Sequence, residues 1–186
     1  KAIQEALSGL NRYSDPASYD LVQAIAEKYS VQPNHIICGH GTDSLLAYIV
    51  SAFTEEGDEI ITCEGTFIGI YVSISKTGRK LIKLPLKDYG FDLDALVGAI
   101  NENTSMIYLA NPNNPTGTMF SDKEFEAFMA QVPDHIMVIL DEAYTDYARE
   151  FEGYPNGIRY DYENLVITRT LSKAQGLAGL RIGFAV

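Results

Sequence analysis

The run TRTLSKAQGLAGLRIGF, residues 168–184, holds three cations, Arg169, Lys173 and Arg181, and no acid. The chain around it is acidic, with 25 Asp and Glu against 14 Lys and Arg and a formal charge of −11. Lys173 follows a strand-like stretch and precedes a glycine-rich one. A lysine on its own is most often a solvated surface residue. The flanking Leu171 and small residues point instead to close packing. A lysine held among cations and apolar groups has its pKa pushed down, so that its neutral amine can attack a carbonyl and form a Schiff base. Thr170, Ser172 and Arg181 add hydroxyls and a guanidinium suited to a phosphate.

Four other segments carry polar chemistry. GHGTD (39–43) ends one apolar run and opens another of helical spacing. Its glycines admit close backbone approach, and the N-terminus of the following helix attracts anions. It lacks the Lys-Ser/Thr of a Walker loop. NPNNPTG (111–117) has the composition of a sharp turn. It also suits a backbone locked so that Asn114 aims its amide at a hydroxyl or phenolate oxygen. DEAY (141–144) follows the apolar run HIMVIL. Asp141 reads either as a cap or loop acid, or as a carboxylate in a low-dielectric site that requires a cationic partner. Tyr144 can present its hydroxyl to the same ligand. EGTF (64–67) places Phe67 after a further apolar run.

The elements that must position these residues alternate. Helical spacing is expected over 18–29, 41–53, 67–77, 91–100 and 121–132, the last opening with the capping-box pattern Ser121…Glu124. Strands are expected at 35–38, 58–63, 80–84, 105–110, 135–140 and 164–169. Strand and helix in turn with short connections predict an α/β fold, three layers with a mostly parallel sheet covered on both faces. Ligands of such sheets bind beyond the carboxyl ends of the strands, where all five polar segments fall.

Composition narrows the function. The 186 residues suffice for a substantial core. The negative charge argues against a nucleic-acid partner and against an anionic membrane surface. No apolar run approaches the length that spans a bilayer. Cys38 and Cys63 are isolated, as buried thiols in a reducing compartment would be, which favours the cytoplasm. His35, His40 and His135 show no metal-ligand spacing.

NPNNPTG, DEAY and SKAQGLAGLR, in this order at strand ends, resemble the large domain of pyridoxal-phosphate enzymes of fold type I, the aspartate-aminotransferase superfamily, and within it the histidinol-phosphate aminotransferases. The resemblance covers nearly the whole chain. It implies that Lys173 bonds covalently to pyridoxal 5'-phosphate and then acts as general base and acid. Asp141 would face the protonated pyridine nitrogen. Asn114 and Tyr144 would bond the phenolic oxygen, and Phe67 would stack on the ring. The backbone N–H groups of Thr42 and Asp43, with Thr170, Ser172 and Arg181, would hold the phosphate.

The implied reaction is a ping-pong transfer from an amino donor, histidinol phosphate or a related amino acid, to a 2-oxo acid. The resemblance also implies a homodimer. Ser44, the triplet CEG (63–65) and Gln175-Gly176 depart from the usual pattern and leave the subfamily open. A decarboxylase of the same fold, acting on a threonine phosphate, is an alternative, as is a non-catalytic module. Members have roughly twice this length, as two domains require. Residues 1–186 are therefore expected to form part of a large domain, without the N-terminal arm and the C-terminal small domain, and to lack transaminase activity alone.

Overall fold

The computed structural model describes residues 1–186, which form two compact units, 1–36 and 37–186. The first holds two helices, α1 (Ala2–Ala6) and α2 (Tyr19–Tyr29). Asp15 starts α2 by accepting the backbone N–H of Ala17 at 3.0 Å and of Tyr19 at 2.7 Å. The Tyr19 N–H is one of the donors a helix N-terminus leaves unpaired. Pro33–His35 make a 3-10 turn, so the strand expected over 35–38 begins only at Ile37.

The second unit runs β1 (Ile37–Gly39), α3 (Gly41–Phe53), β2 (Glu59–Cys63), α4 (Ile68–Ser75), β3 (Lys80–Leu84), α5 (Leu93–Gly98), β4 (Thr104–Ala110), α6 (Asp122–Met129), β5 (Met137–Asp141), α7 (Thr145–Ala148), β6 (Leu165–Thr170) and β7 (Gly183–Ala185). Its seven strands form one sheet in the order β1-β7-β6-β5-β4-β2-β3. Strands β2 to β6 pair in parallel, and β7 lies antiparallel between β6 and β1. The expectation of an α/β fold with a mostly parallel sheet holds. The reversed strand β7 was not expected. Three residues after a glycine-rich loop are too few to show a period of two.

Strand alternation divides the core between two faces. Ile61, Ile107, Leu109, Val138, Leu140 and Ile167 point to one face and meet Leu96 of α5 and Phe125, Phe128 and Met129 of α6. Ile60, Met106, Tyr108 and Ile139 point to the other and meet Leu45, Leu46, Ile49 and Val50 of α3 and Ile70 and Ile74 of α4. Fully burying such a side chain contributes about 1.5–3 kcal/mol. This burial explains why the β-branched run 68–75 is helical: Ile70 and Ile74, one turn apart, are fully buried. Lys80 and Lys83 lie exposed on the edge strand β3, where charge discourages further strand pairing.

The capping box of α6 forms as expected. Ser121 Oγ accepts the Glu124 N–H at 3.3 Å, and Glu124 Oε2 accepts the Ser121 N–H at 2.6 Å. No helix is long and apolar enough to cross a membrane.

Candidate functional site

Beyond the carboxyl ends of the parallel strands lies a cavity of about 140 Å³. Its walls include Thr42, Asp43, Phe67, Asn114, Asp141, Tyr144, Thr170, Ser172, Lys173 and Arg181. Every residue singled out in the sequence as a cofactor contact thus faces one cavity. Ala110, Pro112 and Ala143 complete the wall.

One end is built from the start of α3. His40 precedes the helix without a side-chain cap, so the first-turn N–H groups, Thr42 and Asp43 among them, are left for another acceptor. Gly41 makes the turn with φ +76°, a conformation that favours glycine. Gly183 of β7 lies directly beneath. A Cβ there would come within 2.7 Å of the Gly41 carbonyl carbon and 2.8 Å of the Thr42 nitrogen. Thr170 Oγ1 accepts the Ser172 N–H at 3.1 Å, while Ser172 Oγ is buried with no hydrogen-bond partner. Arg181 closes this end. Its Nη2 donates to Asp43 Oδ2 at 3.1 Å, and its Nη1 to the Ala178 carbonyl at 3.3 Å.

The other end is the tip of β5. Asp141 shares the face of Ile139 and Tyr108 and is 4 % exposed. Tyr108 donates its hydroxyl to Oδ2 at 2.8 Å, and the Ala143 N–H donates to Oδ1 at 3.2 Å. None of the chain's salt bridges involves Asp141. Burial raises its pKa from the ordinary carboxylate value, an effect only partly opposed by these hydrogen bonds.

Between the two ends, the asparagines of NPNNPTG divide their work. Asn111 and Asn113 are buried. Asn111 pairs both ways with the backbone of Phe120 at 3.1 Å. Asn113 donates to the Gly65 carbonyl at 3.1 Å and to Thr116 Oγ1 at 2.9 Å, tying this turn to the one that carries Phe67. Asn114 alone of the three lines the cavity, while Asn111 and Asn113 hold the turn together.

Lys173 differs from expectation. It is exposed rather than packed among apolar groups, because the loop after β6 stands at the cavity mouth instead of folding into the core. The loop is still defined: the Gly176 N–H bonds the Lys173 carbonyl at 2.9 Å, and the Leu177 N–H bonds the Leu171 carbonyl at 3.0 Å. Lys173 Nζ lies 5.1 Å from the centroid of the Tyr144 ring, a cation–π contact within the site.

The whole chain, residues 1–186, matches the family described as aminotransferase class I and II. The chain belongs to this family. It is 48% identical over 188 residues to histidinol-phosphate aminotransferase 1 of Mannheimia succiniciproducens, covering 100% of this chain and 51% of that protein. The histidinol-phosphate aminotransferase of Staphylococcus aureus strain MW2 is 41% identical, with 100% and 53% covered.

Among solved structures, the histidinol-phosphate aminotransferase of Sinorhizobium meliloti in complex with pyridoxal-5'-phosphate superposes with a TM-score of 0.93 at 36% identity, over 100% of this chain and 51% of that one. Thermus thermophilus aspartate aminotransferase with maleate gives 0.88 at 25% identity, over 98% and 50%. The chain spans about half the length of the curated relatives it matches.

Three residues of this class I and II aminotransferase chain were given no role in the sequence reading. Tyr108 is the partner of Asp141 from the neighbouring strand. Glu142 points to the opposite face, where its Oε2 accepts from Arg169 Nε at 2.8 Å and Nη2 at 2.6 Å. Arg169, left without a role by its sequence, is thus half of a buried ion pair. Strand parity carries a usable signal here: an acid one residue beyond a cavity-facing acid must turn into the other layer and requires a cation there.

Proposed function

We propose that the intact protein is a pyridoxal-phosphate-dependent aminotransferase of the histidinol-phosphate type. It would move an amino group from histidinol phosphate or a related amino donor to a 2-oxo acid by a ping-pong mechanism. The observation that carries this reading is Asp141, a buried carboxylate without a salt bridge at the end of a cavity whose far end offers Arg181, an unpartnered Ser172 hydroxyl and a helix N-terminus.

Those features fit the cofactor's two ends. A phosphate carrying about −1.5 to −2 charges suits the α3 end. Asp141 would meet a protonated ring nitrogen, the cation it lacks, and would keep that proton in place. Bound there, the cofactor supplies an electron sink that stabilises negative charge on the substrate's α-carbon.

The remaining roles belong to the chain's own side chains. Lys173 at the mouth would hold the cofactor through Nζ at its aldehyde carbon. As a free amine at the mouth, Lys173 Nζ would be placed to take a proton from the substrate's α-carbon and to give it back, the work of a single general base and acid. Asn114 and Tyr144 offer hydrogen bonds to a phenolic oxygen between the two ends. Phe67 would cover one face of the ring. A homodimer in the cytoplasm belongs to the same proposal, and the free thiols Cys38 and Cys63 agree with a reducing compartment.

The test is a titration of the intact protein with pyridoxal phosphate, followed by profiling of amino donors and 2-oxo acids with histidinol phosphate among them. A visible absorption band is expected for wild type and is expected to be missing in Lys173→Ala with an unchanged circular dichroism spectrum. Absence of the band in wild type, or an identical band in the variant, would sink the reading.

A further inference from the structure

The segment Tyr154–Gly157, sequence YPNG, lies outside the cavity, yet it bonds to the end of each strand that delivers a central cavity residue. The Tyr154 hydroxyl donates to the Asn111 carbonyl at 2.6 Å, just past β4 and three residues before Asn114. The Gly157 N–H donates to Glu142 Oε1 at 2.8 Å, just past β5 and next to Asp141. Asn156 Oδ1 accepts from Arg169 Nη2 at 2.9 Å, inside β6 and four residues before Lys173. Arg169 closes the circuit through its two bonds to Glu142.

Each link is built for close fit. The Glu142 side chain is 0% exposed and that of Arg169 8%. Pro155 and Gly157 are buried on either side of the exposed Asn156. A Cβ on Gly157 would come within 2.6 Å of Ile167 Cδ1 and 2.9 Å of Glu142 Oε1. A loop that only had to connect α7 to β6 would need none of this.

We propose that Tyr154–Gly157, with the Glu142–Arg169 pair, is a positioning clasp that sets the spacing of Asn114, Asp141 and Lys173 from the back of the sheet. The proposal rests on the aminotransferase reading. Those three residues would address three different atoms of one rigid ring, so their relative positions matter more than their individual mobility. Small displacements of groups that must act together are costly to a reaction. Arg169, Glu142 and Tyr154 act through other residues, and none of them touches the reacting atoms.

The experiment compares the intact wild type with Tyr154→Phe, Glu142→Gln, Arg169→Lys and Arg169→Met. The readouts are pyridoxal phosphate affinity, the pH midpoint of the visible band, the split between kcat and KM, and thermal melting without cofactor. Folded variants are expected to bind pyridoxal phosphate about tenfold more weakly, to move the pH midpoint by about half a pH unit, and to lose kcat more than they raise KM. Arg169→Lys, which keeps the charge but not the two-pronged contact, is expected to fall between wild type and Arg169→Met.

Folded variants with wild-type affinity and an unmoved midpoint would overturn the clasp, even with lowered melting temperatures, since a merely structural pair behaves that way. Should Glu142→Gln fail to fold, Tyr154→Phe decides, because it removes a single hydroxyl. A wild type that gives no visible band overturns the aminotransferase reading and the clasp together, whereas a normal wild type with indifferent variants overturns the clasp alone.

Discussion

Tyr108 and Asp141 meet through a 2.8 Å hydrogen bond in which the hydroxyl donates to Oδ2, with the tyrosine 0% and the aspartate 4% exposed. Burial raises the Asp141 pKa, and the tyrosine restrains the rise without cancelling it. In an unfolded chain this acid loses its proton near pH 4, whereas in the folded chain it keeps it to higher pH. The stability that the protonated form contributes is complete below about pH 4 and is lost as pH rises through the folded value. Without cofactor, Asp141→Asn is therefore expected to gain on wild type in denaturant titrations as pH rises, while its affinity for pyridoxal phosphate falls. A stability gap that stays constant or narrows with pH would count against this account.

Arg181 and Asp43 form a half-exposed pair, with side chains 47% and 57% exposed, and such pairs contribute only about 0–1 kcal/mol. Asp43 nevertheless competes with any anion for the guanidinium. Calorimetric titration with inorganic phosphate is expected to show Asp43→Asn binding about two- to fivefold more tightly at low salt, with the gain fading as salt screens the pair. Arg181→Ala is expected to bind more weakly than wild type under both conditions.

Gly183 supports the turn from which α3 starts. In Gly183→Ala the new methyl meets the backbone of Gly41 and Thr42, not a side chain that can swing aside. A loss of about 1–3 kcal/mol in urea unfolding is expected, accompanied by weaker phosphate binding. Unaltered binding in a folded Gly183→Ala protein would show that the turn does not shape the anion end.

Ser121→Ala provides the contrast. The capping box of α6 is remote from the cavity, so the expected effect is a loss of about 1 kcal/mol in unfolding free energy with pyridoxal phosphate affinity unchanged.

The strand ends were legible in the sequence because five apolar runs each stop at residues unsuited to a core. NPNNPTG and DEAY are conspicuous for this reason. Strand β7 was not legible, since three residues hold no periodicity. The partner of Arg169 was hidden for a different cause. Glu142 lies 27 positions earlier, and the contact depends on the parallel register that sets Asp141 opposite Thr168. The exposure of Lys173 was hidden too, because the small residues that flank it form a loop here and could equally have packed into a core.

Asp141 and Glu142 are adjacent acids with opposite addresses, one facing the cavity and the other the clasp. Deleting or inserting a single residue within Met137–Leu140 would turn each acid to the other's face. Asp141 would then turn to the layer of Arg169, and Glu142 to the side of the cavity. The reading frame of this five-residue strand is therefore itself a determinant of the chemistry, and mutational libraries that vary length here should be far less tolerant than those that vary only identity.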